Sequence, residues 1–373
     1  MVAMEKSYKC LKEDFMHHNR FFITIALAAM IGFSFFACGD DPVPNAYAEG
    51  TLGLDFELID NDTAYRVRKG SVTSGIVYIP AYRLYNNEYL PVTEIGALSD
   101  GADDVSGAFQ FTYISDVIFL EPVNITTIGS DAFLGCTELT SIPLPAGVLN
   151  IGDSAFGICG DSTSVAIPDS VLSIGDMAFW GNSLTSVTIP GSVTSIGMKL
   201  FHECPGLTTI TVVPTNLNYA SQNGILYNKA MTTLIEAPEG ITGDVILPNS
   251  VTHIGMGAFM LCFGLTSVTI PDGVTHIGAG AFAACIGLTN VTIPASVTNI
   301  GGGAFMSCFG LTSVTVFAET PSLLESLPEY DDNAVFEDVH DDLRIYVPAD
   351  SVDAYKAAAG WSAYASRIFA ITP

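Results

Sequence analysis

Basic residues are scarce. The 373-residue chain has 13 Lys and Arg against 39 Asp and Glu, a net charge of −26. Nothing in so acidic a chain would displace the counterions of a nucleic-acid backbone, which excludes nucleic acid as a partner. Charge of either sign is thin, at 14% of residues, while 49% are hydrophobic, and this combination excludes a disordered chain. Trp (2) and His (6) are rare. No CxxC or HxxxH spacing offers metal ligands. There is no G-x-S-x-G, no Cys paired with a motif His and no glycine loop placed to cradle phosphate, so no catalytic machinery is recognisable and no cofactor is expected. Long apolar runs are absent except for one at the N-terminus. Gly (35) and Thr are abundant instead, which points to turns and strands rather than a helical enzyme.

The single apolar run is Phe21 to Phe36, FFITIALAAMIGFSFF, sixteen residues without charge. It is short for a spanning helix, which needs about twenty, and has the length of a signal-peptide core. Arg20 precedes it, and Met16 is an alternative start. Phe35-Phe36-Ala37-Cys38-Gly39 follows. A small residue, Cys and Gly in that place resemble the lipobox of bacterial lipoproteins, although that family usually has Leu where Phe35 stands. The resemblance implies that Cys38 is acylated and becomes the new N-terminus. The competing readings are an ordinary signal peptide with a chance cysteine and an uncleaved signal anchor. Residues 1–37 are thus expected to be a lipoprotein signal peptide. Residues 38–50, acidic and proline-bearing, are expected to be a flexible tether.

The remainder is periodic. Ile-Gly recurs at Ile128, Ile151, Ile174, Ile196, Ile254, Ile277 and Ile300, in steps of 23, 23, 22, 58, 23 and 23 residues, with an earlier copy at Ile95. Five residues after each of the seven comes Phe: Phe133, Phe156, Phe179, Phe201, Phe259, Phe282 and Phe305. Eight after comes Cys136, Cys159, Asn182, Cys204, Cys262, Cys285 or Cys308. Fixed-period self-similarity is the signature of a solenoid. Within one unit, Leu265, Val268 and Ile270 are expected to face inward, with Ser267 and Thr269 outward, the alternation of a strand. Pro271 ends that strand, Asp272-Gly273 turns the chain, and Val274 and Ile277 return to the core. Phe282 drops inside from a short helical or irregular turn. The expected fold is therefore a mainly β repeat solenoid, leucine-rich-repeat-like, with units of about 23 residues. The six repeat cysteines are expected to be buried free thiols, because stacked parallel side chains do not aim their Cβ atoms at each other. The 58-residue step holds a variant unit near 213–247. There Gln222-Asn223-Gly224 is a turn, Ile225-Leu226-Tyr227 a strand, Asn228-Lys229 a second turn and Thr232 to Ile235 another strand.

The repeat IGxxAFxxCxxLTSVTIPxSVTxIG resembles the BspA-like leucine-rich-repeat surface lipoproteins of bacteria. Asn218-Tyr219, Gly224 and Leu226-Tyr227-Asn228-Lys229 resemble that family's variant unit. Residues 51–94 resemble its N-terminal cap. Ile345 to Ala349, Ser351 to Lys356 and Gly360-Trp361 resemble its C-terminal cap. The resemblance implies a solenoid over 95–318 and an acidic loop with C-terminal cap over 319–373; the insertion 97–106 is expected to be a loop. It also implies a lipid-anchored protein at the bacterial cell surface or outer membrane. Such a protein binds another protein or a cell-surface glycan, in adhesive members host extracellular matrix, and touches membrane only through its N-terminal lipid. A structural cell-envelope protein and a glycan-binding accessory protein are the alternatives.

Four groups of residues are candidates for contact or chemistry. Thr188, Thr211, Thr269, Thr292 and Thr315 are expected to form an outward hydroxyl ladder, which would serve binding or simply reflect β-propensity. Phe263, Ile286 and Phe309 follow the cysteines. If exposed they form an apolar stripe that marks a partner; if tucked in they are packing. From Gly273 to Ala318 there is no Asp, Glu, Lys or Arg, which favours a contact face. His253 and His276 share one repeat position, and a metal or pH-sensing pair there competes with a variable solvated site, which the sequence favours. The acidic run Glu325 to Asp342 lacks EF-hand spacing and reads as a solvated loop rather than a calcium site.

Overall fold

The structure is a computed structural model that describes residues 50–96, 107–160, 162–325 and 334–372. Cys38, the tether up to residue 49 and the 97–106 insertion lie outside the described residues. The described chain forms one unit, a solenoid in which most turns contribute a short strand to each of two kinds of parallel sheet.

The N-terminal end is made of β1 (Asp55–Ile59), antiparallel to β2 (Ala64–Arg68), then β3 (Ser74–Ile79), β4 (Tyr82–Tyr85), β5 (Glu88–Ile95) and β6 (Tyr113–Phe119). Parallel stacking has already begun here. β2 pairs with β5, placing Val67 beside Ile95, and β3 pairs with β6. Arg66 ties this end together with ion pairs to Glu94 (2.8 Å) and Glu57 (3.3 Å).

The Ile-Gly positions then stack strand on strand: β5, β7 (Thr127–Ile128), β8 (Asn150–Ile151), β10 (Ser173–Ile174) and β12 (Ser195–Ile196). The alternating segments form a second sheet of β9 (Ser164–Val165), β11 (Ser186–Ile189) and β13 (Thr209–Val212). Alternation has the expected result: Val187, Ile189 and Ile210 are buried, while Ser186, Thr188 and Thr209 are exposed.

The variant unit interrupts both sheets. β14 (Tyr219–Gln222), β15 (Ile225–Asn228) and β16 (Thr233–Glu236) run antiparallel, so a third strand joins the two read from the sequence. β16 then restarts the Ile-Gly stack, followed by β18 (His253–Ile254), β20 (His276–Ile277), β22 (Asn299–Ile300) and β24 (Leu323–Leu324). β17 (Thr242–Ile246), β19 (Gly264–Thr269), β21 (Asn290–Ile293), β23 (Ser313–Val316), β25 (Arg344–Val347) and β26 (Ile368–Ala370) rebuild the other sheet. Residues 95 and 318 are therefore not breaks in the stack, which continues through both ends. A short helix, α1 (Val352–Ala357), and buried Trp361 close the C-terminal end.

The core is a column of phenylalanines. Phe109, Phe133, Phe156, Phe179 and Phe201 stack with centroids 5.2–6.0 Å apart. Phe259, Phe282, Phe305 and Phe336 stack at 5.1–5.4 Å. Between Phe201 and Phe259 the column is broken, and the buried residues divide into two clusters. β15 straddles them: Leu226 belongs to the first, Ile225 and Tyr227 to the second.

Each turn around its Phe splits its backbone donors two ways. The amides of Phe282 and Ala284 donate forward to the carbonyls of Ala304 and Met306 (both 2.8 Å), whereas Cys285 N–H donates locally to Phe282 O (3.1 Å). The thiols bond backward. Cys285 Sγ donates to Phe259 O and Cys308 Sγ to Phe282 O, both at 3.0 Å, and Cys136, Cys159 and Cys204 do the same to their preceding units. Asn182 takes the same slot and sends Nδ2 to Phe156 O (2.8 Å). This explains why that position takes Cys or Asn: it needs a small buried donor. All six cysteines are free and buried. Burial pushes the thiols of Cys204 and Cys308 up to about 12, so they remain protonated donors at neutral pH.

Candidate functional site: contact faces and a polar junction

The exposed face of the second sheet carries the hydroxyl residues, but not as one ladder. Thr188 pairs with Thr211 in the first run. Thr269, Thr292 and Thr315 pair in series in the second run. The expected continuity from Thr211 to Thr269 fails because the β14–β15 hairpin follows β13: Gly224 O accepts from Ile210 N–H and Ser221 Oγ from Val212 N–H. On the far side Ile246, 71% exposed, is the neighbour of Thr269. Beyond Thr315 the row continues through Tyr346 to Phe369, and Arg344 lies 5.5 Å over the Phe369 ring. The second row is thus three threonines flanked by apolar and aromatic side chains. Other threonines are committed internally: Thr185, Thr208 and Thr312 each donate their hydroxyl to the carbonyl of the preceding unit.

Phe263, Ile286 and Phe309 point outward, at 46%, 44% and 57% exposure. They occupy one position in three consecutive units, just after the buried cysteine. The residues two before them, Leu261, Ala284 and Ser307, have φ between 57° and 62°. A left-handed residue at this point sends the chain round the corner, so Cys stays inside and its successor faces solvent. The stripe therefore precedes β19, β21 and β23, at the end of the strands away from Thr269, Thr292 and Thr315.

The variant unit contains a polar, largely buried cluster that the repeat pattern does not predict. In a regular unit the Phe amide donates to the next turn's backbone, as Phe156 does to Ala178 O. At the junction the next turn is irregular, and side chains substitute. Glu236 accepts from Leu200 N–H (3.1 Å) and Phe201 N–H (3.0 Å) through its two oxygens. Glu239 accepts from Glu203 N–H (2.7 Å) and lies 3.4 Å from His202 Nδ1. Burial and the nearby Glu239 charge push the Glu236 carboxyl up to about 7, against the backbone donors, which pull it down. On the opposite side buried Asn216 holds Pro190 O and Val193 O through Nδ2 and the amides of Asn218 and Tyr219 through Oδ1. The Tyr219 hydroxyl accepts from Ile196 N–H. Two carboxylates beside a histidine in a shallow cleft could suggest acid–base chemistry. Here both are occupied by backbone amides and serve as replacement carbonyls. The only sequence signal was Glu-Ala-Pro-Glu-Gly at 236–240, where regular units carry Phe and Cys.

His253 and His276 are in register and exposed, their rings stacked at 4.7 Å. Among the described residues no group of three or more His, Cys, Asp or Glu is placed to hold a metal ion. Glu329, Asp331 and Asp332 of the acidic run lie outside the described residues.

The chain is similar in fold to the pneumococcal vaccine antigen PcpA, with a TM-score of 0.60 at 18% identity over 88% of this chain and 99% of that one. It is similar to a leucine-rich cell-surface protein of Faecalibacterium prausnitzii, with a TM-score of 0.54 at 25% identity over 83% of this chain and 97% of that one. A leucine-rich-repeat protein of Eubacterium ventriosum gives a TM-score of 0.54 at 23% identity over 81% and 78% of the two chains. No curated protein matches the chain. The model of the BspA-type leucine-rich-repeat region matches six copies across residues 105–232 and 241–330, more than half of the sequence. The shared repeat, the matched span and the thiol-stitched solenoid make this chain a member of the BspA-type leucine-rich-repeat family.

Proposed function

We propose that the chain is a lipid-anchored bacterial cell-surface protein that binds another protein through the second half of its solenoid. The observation that carries this reading is the outward stripe of Phe263, Ile286 and Phe309, the last two of which lie in a stretch without any charged residue, Gly273 to Ala318. Water solvates such a stretch poorly, and a partner that covers it gains the apolar area. Contact residues of this kind, aromatic and central, carry most of the binding energy in protein interfaces. The surface role of the family and the cell-surface description of the Faecalibacterium prausnitzii relative support the location.

Purified protein is tested against immobilised matrix proteins, glycans and bacterial surface fractions. A Phe263→Ser/Phe309→Ser variant should fold within about 0.5 kcal/mol of the parent, since both side chains are half-exposed. It should lose about tenfold or more in affinity for the captured partner, as a pair of interface anchors does. Binding unchanged in a folded variant would place the contact elsewhere.

A glycan is the second reading, favoured by the row Thr269, Thr292, Thr315, Tyr346 and Phe369, in which hydroxyls lead on to aromatic rings. Competition by soluble sugars distinguishes it. The anchor is tested separately. Cys38→Ala should move the protein from the membrane pellet to the soluble fraction, and unchanged partitioning would remove the lipid from the reading.

A further inference from the structure

We propose that His253 and His276 form an open two-imidazole site for a borderline divalent transition metal ion, of the Ni2+, Cu2+ or Zn2+ class. The hydrogen bonds around the two rings place their protons. His253 Nδ1 lies 2.8 Å from Thr252 Oγ1, and His276 Nδ1 lies 2.8 Å from Thr275 Oγ1. Each threonine hydroxyl has one proton, and each already has an acceptor. Thr252 Oγ1 donates to Thr232 O (3.1 Å) and Thr275 Oγ1 donates to Thr252 O (3.2 Å). The same hydroxyl-to-carbonyl bond occurs at Thr126 and Thr194, where no histidine follows, so it belongs to the repeat and not to the imidazole. The hydroxyl oxygen must then accept from Nδ1–H. That fixes the Nδ1–H tautomer on both rings and leaves both Nε2 atoms as bare lone pairs.

Nothing among the described residues occupies those lone pairs. Both histidines are exposed, and neither makes an ion pair among the described residues, unlike His202 and His340. The flanking positions in the stack are Thr233 and Asn299, which bring no charge. The backbone register places the rings face to face, with planes 11° from parallel and centroids 4.7 Å apart. One divalent ion bound between the rings is shared by both neutral nitrogens. In the stacked arrangement the two lone pairs run side by side, so the exposed rings must turn towards each other about their side-chain bonds to bring both nitrogens to about 2.0–2.1 Å from one ion. An imidazole oriented through its other nitrogen is the usual arrangement of a metal-binding histidine, and here the threonines supply it. No third protein ligand is present among the described residues, so water or a partner's side chain completes the shell. The site lies on the Ile-Gly sheet, not on the sheet bearing the threonine row, and does not depend on the protein-binding reading.

The test is calorimetric titration of the full chain with Ni2+, beside His253→Asn, His276→Asn and the double variant. Asn stands at this position in Asn150 and Asn299, so the substitutions suit the fold. Wild type should show one micromolar-class site. Each single variant should lose about tenfold or more in affinity, and the double variant little further, because a chelate fails when either arm is removed. Cu2+ bound to the wild type should show two-nitrogen hyperfine coupling in its electron paramagnetic resonance spectrum, reduced in either variant. Equal Ni2+ affinity in wild type and double variant overturns the proposal. So does independent, additive loss from the two single variants, which would mean two separate surface histidines.

Discussion

Phe282→Ala is expected to destabilise the chain by about 3–5 kcal/mol, the cost of emptying a fully buried phenylalanine position. Phe282 is wholly buried between Phe259 and Phe305, at 5.1 and 5.2 Å, so the variant also loses two stacked contacts worth roughly 0.5–1.5 kcal/mol each. Phe282→Leu keeps most of the volume and should cost under about 1.5 kcal/mol. The loss should be local. Stacked units touch only their neighbours, and the phenylalanine column is broken between Phe201 and Phe259. The chain has two tryptophans, Trp180 in the first run and Trp361 at the C-terminal end. Single-tryptophan variants can follow each run through urea unfolding. Phe282→Ala should lower the midpoint seen by Trp361 and leave that seen by Trp180 nearly unchanged. An equal shift at both would show that the junction transmits stability fully.

The second large effect is a pH dependence at the junction. Free in an unfolded chain, the Glu236 carboxyl ionises near 4.5; in the folded chain burial lifts it to about 7. The folded state therefore holds a proton that the unfolded state releases. The stability contributed is fully present below 4.5 and is lost as pH rises through 7. The loss is roughly 3 kcal/mol in all, since each tenfold change in proton affinity is worth about 1.4 kcal/mol. In Glu236→Gln that titration is gone. The urea midpoint of the wild type should fall relative to the variant's between pH 4.5 and 7.5. A difference that stays constant with pH would mean that Glu236 does not titrate there. Glu236→Ala should be worse than Gln at every pH, because it leaves the buried amides of Leu200 and Phe201 without acceptors, at about 1–3 kcal/mol each.

These two positions also mark where the sequence is legible and where it is not. Phe282 could be assigned to the core from spacing alone, because its role repeats in every unit and depends on residues a fixed distance away. The burial of Cys285 and the substitution of Asn182 follow from the same register. Whether Phe263 faces in or out could not be read, since it turns on a left-handed residue at Leu261, and Leu carries no sign of that conformation. The break in the threonine row was hidden for another reason. Thr211 and Thr269 have the same local sequence as their neighbours, and the hairpin that separates them lies in between. Glu236 was invisible because its partners, Leu200 and Phe201, are the unpaired amides of a regular unit facing an irregular one. Its purpose exists only once the stack is built.

The stitching bonds link equivalent atoms in adjoining units: the thiol of one to the Phe carbonyl of the one before, the Phe amide of one to a carbonyl of the one after. A unit removed or duplicated in frame leaves the same donors facing the same acceptors. Unequal recombination within either run can therefore lengthen or shorten the protein without inventing a new packing solution. At the junction this freedom ends. Glu236, Glu239 and Asn216 answer to particular amides and have no counterpart one unit away. Gene-level drift in array length should accumulate on either side of residues 213–247 and spare that segment itself.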